Sequence, residues 1–211
     1  MTHLSWLLSH AYAERSALKL VGDRFQLTER QRIAVMRSAC SDEAMRRRGQ
    51  AQIPGNRLAG QPVDLDGFNV LTTVEAALAG GVVLCGRDGC CRDMASMHGS
   101  YRKVEETRPA LVMIGEVLEQ LDAAECCWFL DRPVSNSGRL AMIIREIASD
   151  CSWQWRTQLE NDVDPVISQS SNVVASADSV ILDRCNHWCN LAREVIDRRI
   201  PNVNLVTFAG A

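Results

Sequence analysis

Three apolar segments of the sequence each end in an aspartate, and these carboxylates are the side chains best suited to chemistry. The segments are Val63–Asp66, Cys126–Asp131 and Val173–Asp178, and Asp183 follows the last of them by about one helical turn. Carboxylates brought together repel one another unless a cation neutralises them, and hard oxygen ligands select Mg²⁺ or Mn²⁺. The chemistry typical of such a centre is phosphoester cleavage, because the metal activates a water molecule and steadies charge on the phosphate.

An aspartate that follows a strand also has an ordinary structural use, since its side chain commonly caps the next helix or shapes a turn. Capping alone does not prefer Asp over Ser, Thr or Asn, so three such aspartates favour a shared site more than one would. We therefore expect Asp66, Asp131 and Asp178 to be metal ligands and catalytic residues, with Asp183 as a further ligand. Capping stays open as the alternative.

The segments that position these aspartates alternate between strand and helix patterns from Val63 onward. Strands are predicted at 63–66, 82–85, 126–130, 153–159, 173–176 and 203–208, and helices at about 72–79, 108–121, 136–148 and 186–199. Strands separated by helices need crossover connections, which predicts an α/β fold with a mostly parallel sheet flanked by helices. The carboxyl ends of parallel strands form the ligand-binding edge of such a sheet.

Residues 1–48 have a different pattern, which predicts a small helical region. Thr28-Glu-Arg-Gln31 is a capping-box pattern, and Ser41 is placed to cap a later helix. The basic triplet Arg46–Arg48 closes this region and is expected to stay solvated. Residues 49–62 contain three Gly and two Pro without periodicity, which predicts a linker before an α/β domain at 63–211.

Composition narrows the functional classes. The formal net charge is −3, so no overall basic field indicates nucleic-acid binding, although 21 of the 23 cationic residues are Arg. Arg suits bidentate phosphate contacts better than Lys does, but a coding bias toward Arg explains the same excess. The chain start lacks the pattern of a secretory signal, and no apolar run is long enough to span a bilayer. Together with nine scattered cysteines, this predicts a cytoplasmic protein with mostly buried, reduced thiols and no membrane partner.

The segment Asp66-Gly-Phe-Asn69, after an apolar strand, resembles the Asp-Gly-Tyr-Asn opening of NYN domains, which belong to the PIN-like nuclease superfamily. Phe-Leu-Asp131 lies where those domains have a second strand-end Asp, and Val-Val-Ala-Ser-Ala-Asp178 resembles their Val-Val-Thr-Ser-Asp motif. The resemblance covers about residues 63–208. It implies a PIN/NYN-like, Rossmannoid fold and a divalent-metal-dependent ribonuclease that hydrolyses RNA phosphodiesters with Mg²⁺ or Mn²⁺.

Two features depart from that pattern. Ala177 separates Ser176 from Asp178, and an acidic residue on a central helix has no unambiguous counterpart. Glu75 could supply the missing acid, although Thr72-x-x-Glu75 is a helix-capping pattern that explains it without a metal. Asp93 is a second candidate for the missing ligand. Asp88, in a turn flanked by glycines, is expected to be only a turn residue.

The whole chain is also similar to an uncharacterised prokaryotic family that joins a short helical N-terminal region to such a domain. Leu20–Phe25, His98–Arg102 and Arg132–Gly138 carry this similarity. It implies no established activity.

Residues near the aspartates provide candidate contacts for an RNA substrate. The segment His98-Gly-Ser-Tyr-Arg102 combines an imidazole, a phenol and a guanidinium, which suits base stacking and phosphate contact. Ser135 or Ser137 is placed to cap a helix whose N-terminal amides would bind phosphate. The expected substrate-binding residues are Asn69, His98, Tyr101, Arg102, Arg132, Ser135, Asn136, Ser137 and Arg139.

Two other functions stay open. Asp64-Leu-Asp66-Gly also resembles the opening motif of haloacid-dehalogenase-like phosphatases, which implies Asp64 as the nucleophile, Asp66 as acid and base, and Asp178 with Asp183 as the acidic motif. Those enzymes usually have Thr where this chain has Phe68. The second is a non-catalytic RNA-binding or scaffold protein that retains the fold. A homodimer is also left open.

The segment Cys185-Asn-His187-Trp-Cys189 could place two thiols on one helix face for zinc. A tetrahedral site still needs further ligands, so buried thiols are the favoured interpretation.

Overall fold

The computed structural model describes residues 1–94 and 104–208. Its first part is a unit of four short helices with a small core of its own. Thr28 and Gln31 form the predicted capping box, and the Ser41 hydroxyl accepts the predicted cap bond from the Ala44 amide. The helices are α1 (Thr2–Ser9), α2 (Glu14–Arg24), α3 (Glu29–Ser38) and α4 (Asp42–Ala51). The first three share a core that consists of Leu4, Leu7, Ala17, Val21 and Val35.

A 3-10 turn at Gly55–Arg57 leads into the α/β part of the chain. Its strands are β1 (Val63–Asp66), β2 (Val82–Cys85), β3 (Cys91–Asp93), β4 (Cys126–Asp131), β5 (Trp155–Glu160), β6 (Val173–Ala175), β7 (Trp188–Cys189) and β8 (Asn204–Thr207). Its helices are α5 (Gly67–Leu78), α6 (Thr107–Gln120), α7 (Ser137–Asp150), α8 (Val163–Ser168), α9 (Ser179–Leu182) and α10 (Leu191–Arg199). The predicted α/β fold with a mostly parallel sheet flanked by helices is confirmed.

The main sheet has five strands in the order β5-β4-β1-β6-β7, and every neighbouring pair is parallel. The chain builds outward from β1 through β4 to β5, then returns to the other side of β1 as β6 and β7. The direction in which the sheet grows therefore reverses between the neighbouring strands β1 and β6. This is the topological switch point at which open α/β sheets bind ligands.

The remaining three strands form a second sheet in the order β3-β2-β8. Strand β2 pairs antiparallel with β3 across a tight turn at Gly86–Gly89, and parallel with β8. Sequence patterns identified β2 and β8 as strands but did not separate them from the main sheet. Strand pairing over such distances depends on tertiary packing, which local patterns do not specify.

Helix α5 begins earlier than predicted, directly after Asp66. The capping interpretation of Thr72-x-x-Glu75 is wrong, because both residues lie inside α5. Glu75 is buried and accepts a hydrogen bond from Thr107 Oγ1 at 2.6 Å. Gly67 is required at the start of the helix, since a Cβ there would lie 2.8 Å from the Phe129 carbonyl oxygen. This close approach packs α5 against β4 and aims its N-terminus at the switch point.

The C-terminal segment also differs from its prediction. Trp188–Cys189 forms β7, so α10 starts only at Leu191. In the described ranges, none of the helices is both long and apolar enough to cross a bilayer.

Candidate functional site

Asp66 lies at the carboxyl end of β1, buried beside the switch point. Its Oδ2 accepts a hydrogen bond from Ser176 Oγ at 2.8 Å. Burial raises the pKa of Asp66 to about 7, against the lowering effect of Ser176, and the carboxylates of Asp178, Asp164 and Asp131 raise it further. Asp178, Asp164 and Asp131 are therefore near enough to Asp66 to affect its ionisation, and Asp164 was not among the predicted residues.

Asp178, after β6, has the structural role that the sequence left open. It is the N-cap of α9, and its Oδ1 accepts hydrogen bonds from the amides of Val180 and Ile181 at 2.7 and 3.4 Å. Ser176 Oγ accepts from the Asp178 amide at 2.9 Å, so one serine ties the loop to Asp66. Both cap bonds use Oδ1, which leaves Oδ2 of Asp178 without a hydrogen bond among the described residues.

Asp131 ends β4 on the other side of β1 and is half-buried. Its Oδ1 accepts a hydrogen bond from the Val163 amide at 3.3 Å, at the start of α8. Burial raises the pKa of Asp131, and the nearby charge of Asp162 adds to the effect.

Asp164, in the first turn of α8, was not predicted from the sequence. Burial raises its pKa, and the carboxylates of Asp178, Asp162 and Asp131 act in the same direction. Asp164 follows the end of β5 by a short loop, so it lies on the same edge of the sheet as the three predicted aspartates. Its position after a strand was a signal of the same kind that identified the others.

Asp183 was expected to join this group, but its carboxylate is committed to arginines of α4. Arg48 Nε donates to Oδ1 at 2.7 Å, and Arg47 Nη2 lies 3.0 Å from the same oxygen. These two cations outweigh burial and lower the pKa of Asp183. Arg48 itself is buried, contrary to the prediction that the basic triplet stays solvated.

A buried brace of one aspartate and two arginines holds the loop that carries Asp178. Arg92 donates through Nη1 and Nη2 to the two carboxylate oxygens of Asp88 at 2.8 and 2.7 Å, and through Nε to the Ala177 carbonyl at 2.7 Å. Arg48 Nη1 donates to Asp88 from the opposite side at 2.6 Å. The arginines outweigh burial and lower the pKa of Asp88 to about 2. Asp88 is therefore more than the turn residue that was predicted.

Asn69, an expected substrate contact, also supports this loop. It lies in the first turn of α5, and its Oδ1 accepts a hydrogen bond from the Ala177 amide at 2.9 Å. The loop after β6 is thus held at three points: Asn69 bonds the Ala177 amide, Arg92 bonds the Ala177 carbonyl, and the Ser176 hydroxyl bonds Asp66. Such fixation presets the position of Asp178 relative to Asp66.

A cleft of about 260 Å³ opens between this loop and the N-terminal helices. Its lining includes Asn69, Asp93 and Asp178 from the α/β part and Glu14 and Arg37 from α2 and α3. Asp93 is fixed by the Thr72 hydroxyl at 3.0 Å and by Arg37 Nη1 at 3.4 Å. The N-terminal helices therefore form one wall of a cleft that reaches Asp178.

The other expected substrate contacts lie farther along this edge or outside the described residues. Arg132 and Arg139 are exposed, and Arg132 Nη2 donates to the Leu159 carbonyl at 2.9 Å, on the β5 side. Neither Ser135 nor Ser137 caps α7, because Asn136 occupies that position in a left-handed conformation. Ser137 is buried instead, with its hydroxyl donating to the Arg132 carbonyl. Predictions for His98, Tyr101 and Arg102 lie outside the described residues.

Asp64 lies at the other end of β1, away from the switch point. Ser170 Oγ and Asn172 Nδ2 donate to its two oxygens at 2.6 and 3.3 Å, just before β6 begins. Asp64 is therefore a buried, bonded residue at the amino edge of the sheet.

Cysteine and acidic side chains were both candidates for holding a metal. Cys185 and Cys189 are free and buried, as the favoured interpretation predicts. In residues 1–94 and 104–208, no three His, Cys, Asp or Glu side chains are close enough together to hold one ion without moving. A cation at the switch point would thus take its protein ligands from few carboxylates and the rest from water.

Comparison with known proteins places the chain among families of unknown function. Residues 55–194 match the model described as "Domain of unknown function (DUF5616)", and residues 1–50 match "Protein of unknown function (DUF434)". An uncharacterised protein of Methanocaldococcus jannaschii, MJ0935, is 28% identical over 194 residues, which cover 91% of this chain and 92% of that protein. No solved structure matches the chain significantly. The first of these models spans most of the chain, and the chain therefore belongs to the DUF5616 family.

Proposed function

We propose that the protein is a ribonuclease that depends on Mg²⁺ or Mn²⁺ and hydrolyses RNA phosphodiesters at the carboxyl edge of the main sheet. The observation that carries this proposal is that four aspartates follow strands of the main sheet at its carboxyl edge, and that three of them raise the pKa of the fourth, Asp66. The other three are Asp131, Asp164 and Asp178. Asp66, Asp131 and Asp164 have raised pKa values, mainly because burial disfavours the ionised form. Repulsion by other members of the set adds to this effect for Asp66 and Asp164. A bound cation relieves that repulsion.

The donor set fits a hard divalent cation. In each of Asp66 and Asp178, one carboxylate oxygen accepts hydrogen bonds from protein donors. The second oxygen of each carboxylate has no hydrogen bond from a described residue. Mg²⁺ keeps several of its waters and commonly takes only one or two carboxylates, completing its shell with substrate phosphate. Asp66 and Asp178 are therefore the proposed direct ligands, with Asp131 and Asp164 reaching the ion through water.

The residues around the carboxylates have positioning roles in this proposal. Ser176 orients Asp66, while Asn69 and Arg92 hold the backbone next to Asp178. When bound, the ion would supply the activated water and stabilise charge on the scissile phosphate. No protein nucleophile is needed. Asp64, held at the far edge of the sheet, gives the phosphatase alternative no comparable support.

We also propose that the α/β part is a PIN/NYN-like domain. Asp66-Gly-Phe-Asn69, Asp131 and Asp178, the residues that carry the resemblance, all occupy the carboxyl edge of the sheet, which supports the assignment. The nine cysteines are free, which agrees with a cytoplasmic location. RNA is the proposed partner.

The test is cleavage of a labelled single-stranded RNA by the full chain with Mn²⁺, with Mg²⁺ and with excess chelator. We expect slow metal-dependent cleavage, reduced at least about a hundredfold in Asp66→Asn and Asp178→Asn, because even indirect ligands commonly contribute that much. Asn retains the cap at position 178, so a loss there reports the charge rather than the helix. Asp64→Asn is the matched control from the same strand.

Equal cleavage in excess chelator would contradict the proposal. So would full activity in both cluster variants. If Asp64→Asn alone abolished turnover and the substrate were a phosphomonoester, the phosphatase alternative would replace it.

A further inference from the structure

The N-terminal helices α1 and α2 carry an apolar groove beside their small core, and the core residues Leu7 and Val21 also line it. We call it the aromatic groove, and its main lining residues are His3 and Trp6 of α1 with Leu20, Arg24 and Phe25 of α2 and its C-cap. These residues recur at helical spacing, so they form one continuous surface across the helix pair. The groove has a volume of about 210 Å³.

The lining side chains are exposed to a degree that core packing does not explain. Trp6 is 56% exposed, Leu20 is 60% exposed and Phe25 is 49% exposed, although each belongs to a helix with a well-buried face. The apolar side chain of Leu20 faces outward, although its neighbour Val21 is buried. A contiguous exposed apolar patch of this kind marks an interaction surface.

Charge indicates which partner fits this surface. Residues 1–50 contain nine Lys and Arg against five Asp and Glu, a net charge of +4, whereas residues 51–211 contain 14 against 21, a net charge of −7. Three of the nine cations, Arg37, Arg47 and Arg48, pair with aspartates of the α/β part, and Arg24 in the groove is not one of them. Within the groove, the Arg24 guanidinium lies 5.8 Å from the centre of the Phe25 ring, and no acidic side chain pairs with it among the described residues. A polyanion with flat apolar groups is complementary to such a surface.

Single-stranded RNA has both properties. Its unstacked bases pack on exposed aromatic rings, and its phosphates pair with arginines. Helix α2 also links the groove to the candidate site, since Glu14 at its start lines the cleft and Arg24 at its end lines the groove. Ten residues of helix span about 15 Å, a distance that a short oligonucleotide covers.

We propose that the aromatic groove is a stacking site for bases of single-stranded RNA, so that the N-terminal helices hold a strand whose backbone reaches the acidic cluster. This deepens the proposed function and names its substrate class as unpaired RNA. Trp6 and Phe25 supply the stacking surface through the parts of their rings that remain exposed, since Trp6 also stacks on His10 and Phe25 makes an edge contact with His3. Arg24 supplies a phosphate contact. Double-stranded RNA is excluded from the groove because its bases are already stacked and paired.

The test is binding of a short fluorescein-labelled oligouridylate to the full chain in excess chelator, measured by fluorescence anisotropy. We expect Trp6→Ala and Phe25→Ala to raise the dissociation constant by about five- to a hundredfold each, the usual effect of losing one stacked base. Trp6→Phe should restore most of the affinity. Arg24→Gln should reduce the slope of log K against log salt by about one, as expected for one phosphate contact.

Met142→Ala is the matched control, because Met142 is an exposed apolar residue of α7. Unchanged affinity in both aromatic variants would overturn the inference. Equal competition by double-stranded RNA would also overturn it. So would a wild-type dimer, detected by light scattering, that Trp6→Ala dissociates, because the groove would then join two copies of the chain.

The outcome is separable from that of the proposed function. Metal-dependent hydrolysis of bis(p-nitrophenyl) phosphate, which is too short to reach from the groove to the acidic cluster, should depend on Asp66 and not on Trp6. If RNA binding depends on Trp6 but no hydrolysis is detected, the inference about the aromatic groove stands and the proposed nuclease function fails. If hydrolysis depends on Asp66 but RNA binding does not depend on Trp6 or Phe25, the proposed function stands and the inference about the groove fails.

Discussion

Asp66 is the residue at which pH and metal should act together. A buried carboxyl whose pKa is raised to about 7 favours the folded state while it is protonated, and this contribution is lost as pH rises toward and through 7. The unfolding free energy of the metal-free protein should therefore lose about 3 kcal/mol from this group between about pH 5 and pH 8, since one pKa unit corresponds to about 1.4 kcal/mol.

The variant Asp66→Asn isolates this effect, because the amide still accepts the Ser176 hydrogen bond but does not titrate. Urea unfolding at the two pH values, in excess chelator, should show the variant gaining about 3 kcal/mol relative to wild type on going to pH 8. Ser176→Ala should steepen the wild-type trend, since that hydrogen bond lowers the pKa of Asp66. Parallel pH profiles for wild type and Asp66→Asn would show that Asp66 is ionised throughout.

Asp178 shows that a structural role and a site role can belong to the same carboxylate. One oxygen caps α9, and the other has no hydrogen-bond donor among the described residues at the switch point. The sequence posed capping and metal binding as alternatives because a side chain was treated as a single acceptor. A carboxylate has two oxygens with about four acceptor sites, so the two roles are compatible.

At the scale of elements, the brace between the turn after β2 and the loop after β6 should dominate local stability. Arg92→Met leaves Asp88 with Arg48 and the Cys90 amide, and it removes the donor to the Ala177 carbonyl. Breaking a buried ion pair in this way costs about 3–5 kcal/mol. Urea unfolding of Arg92→Met, Asp88→Asn and the double variant should show a combined cost well below the sum, because the two residues act as a unit.

A surface ion pair provides the comparison for the brace. Arg156 pairs with Glu125 at 3.1 Å, with both side chains largely exposed. Arg156→Gln should cost less than about 1 kcal/mol. If Arg92→Met and Arg156→Gln lower the free energy of unfolding by similar amounts, the brace contributes little to stability. Arg92→Lys should recover only part of the loss, because an ammonium cannot bond both carboxylate oxygens and the carbonyl in the same planar geometry.

At the scale of the whole molecule, Arg48 joins the helical unit to the α/β part. Its guanidinium bonds Asp88 and Asp183, and its carbonyl accepts from Trp188 Nε1 at 2.8 Å. Arg48→Met should therefore loosen the N-terminal unit and expose the chain at 49–62. The measurement is limited proteolysis with mass spectrometry, with faster cleavage in that segment expected for the variant. Arg46→Gln, an exposed neighbour on the same helix, is the control.

The result that would contradict this arrangement is equal protection of 49–62 in wild type and Arg48→Met. In that case the two parts of the chain would be joined by the other contacts between them, such as the Arg87 amide on the Ser38 carbonyl at 2.8 Å. If Arg46→Gln also increased cleavage, charge on α4 rather than the buried pairing would be responsible.

Features that depend on near neighbours were accessible from the sequence. The capping box at Thr28, the cap at Ser41 and the strands ending in Asp66 and Asp131 follow from local hydrogen bonding and from apolar runs a few residues long. The parallel arrangement then placed the strand-end aspartates on one edge, because every crossover returns the chain in the same direction. For the same reason Asp164 could have been included.

Features that depend on distant partners were decided by the tertiary structure. Arg48 looked like one cation of a solvated triplet, and Asp88 like a turn residue, because the two are separated by 40 positions, and Asp183 lies farther still. The outward turn of Leu20 is equally invisible to periodicity, which identifies an apolar face but not whether anything covers it. Local sequence specifies backbone hydrogen bonding, whereas the pairing of buried charges and the covering of apolar faces depend on which surfaces the whole chain brings together.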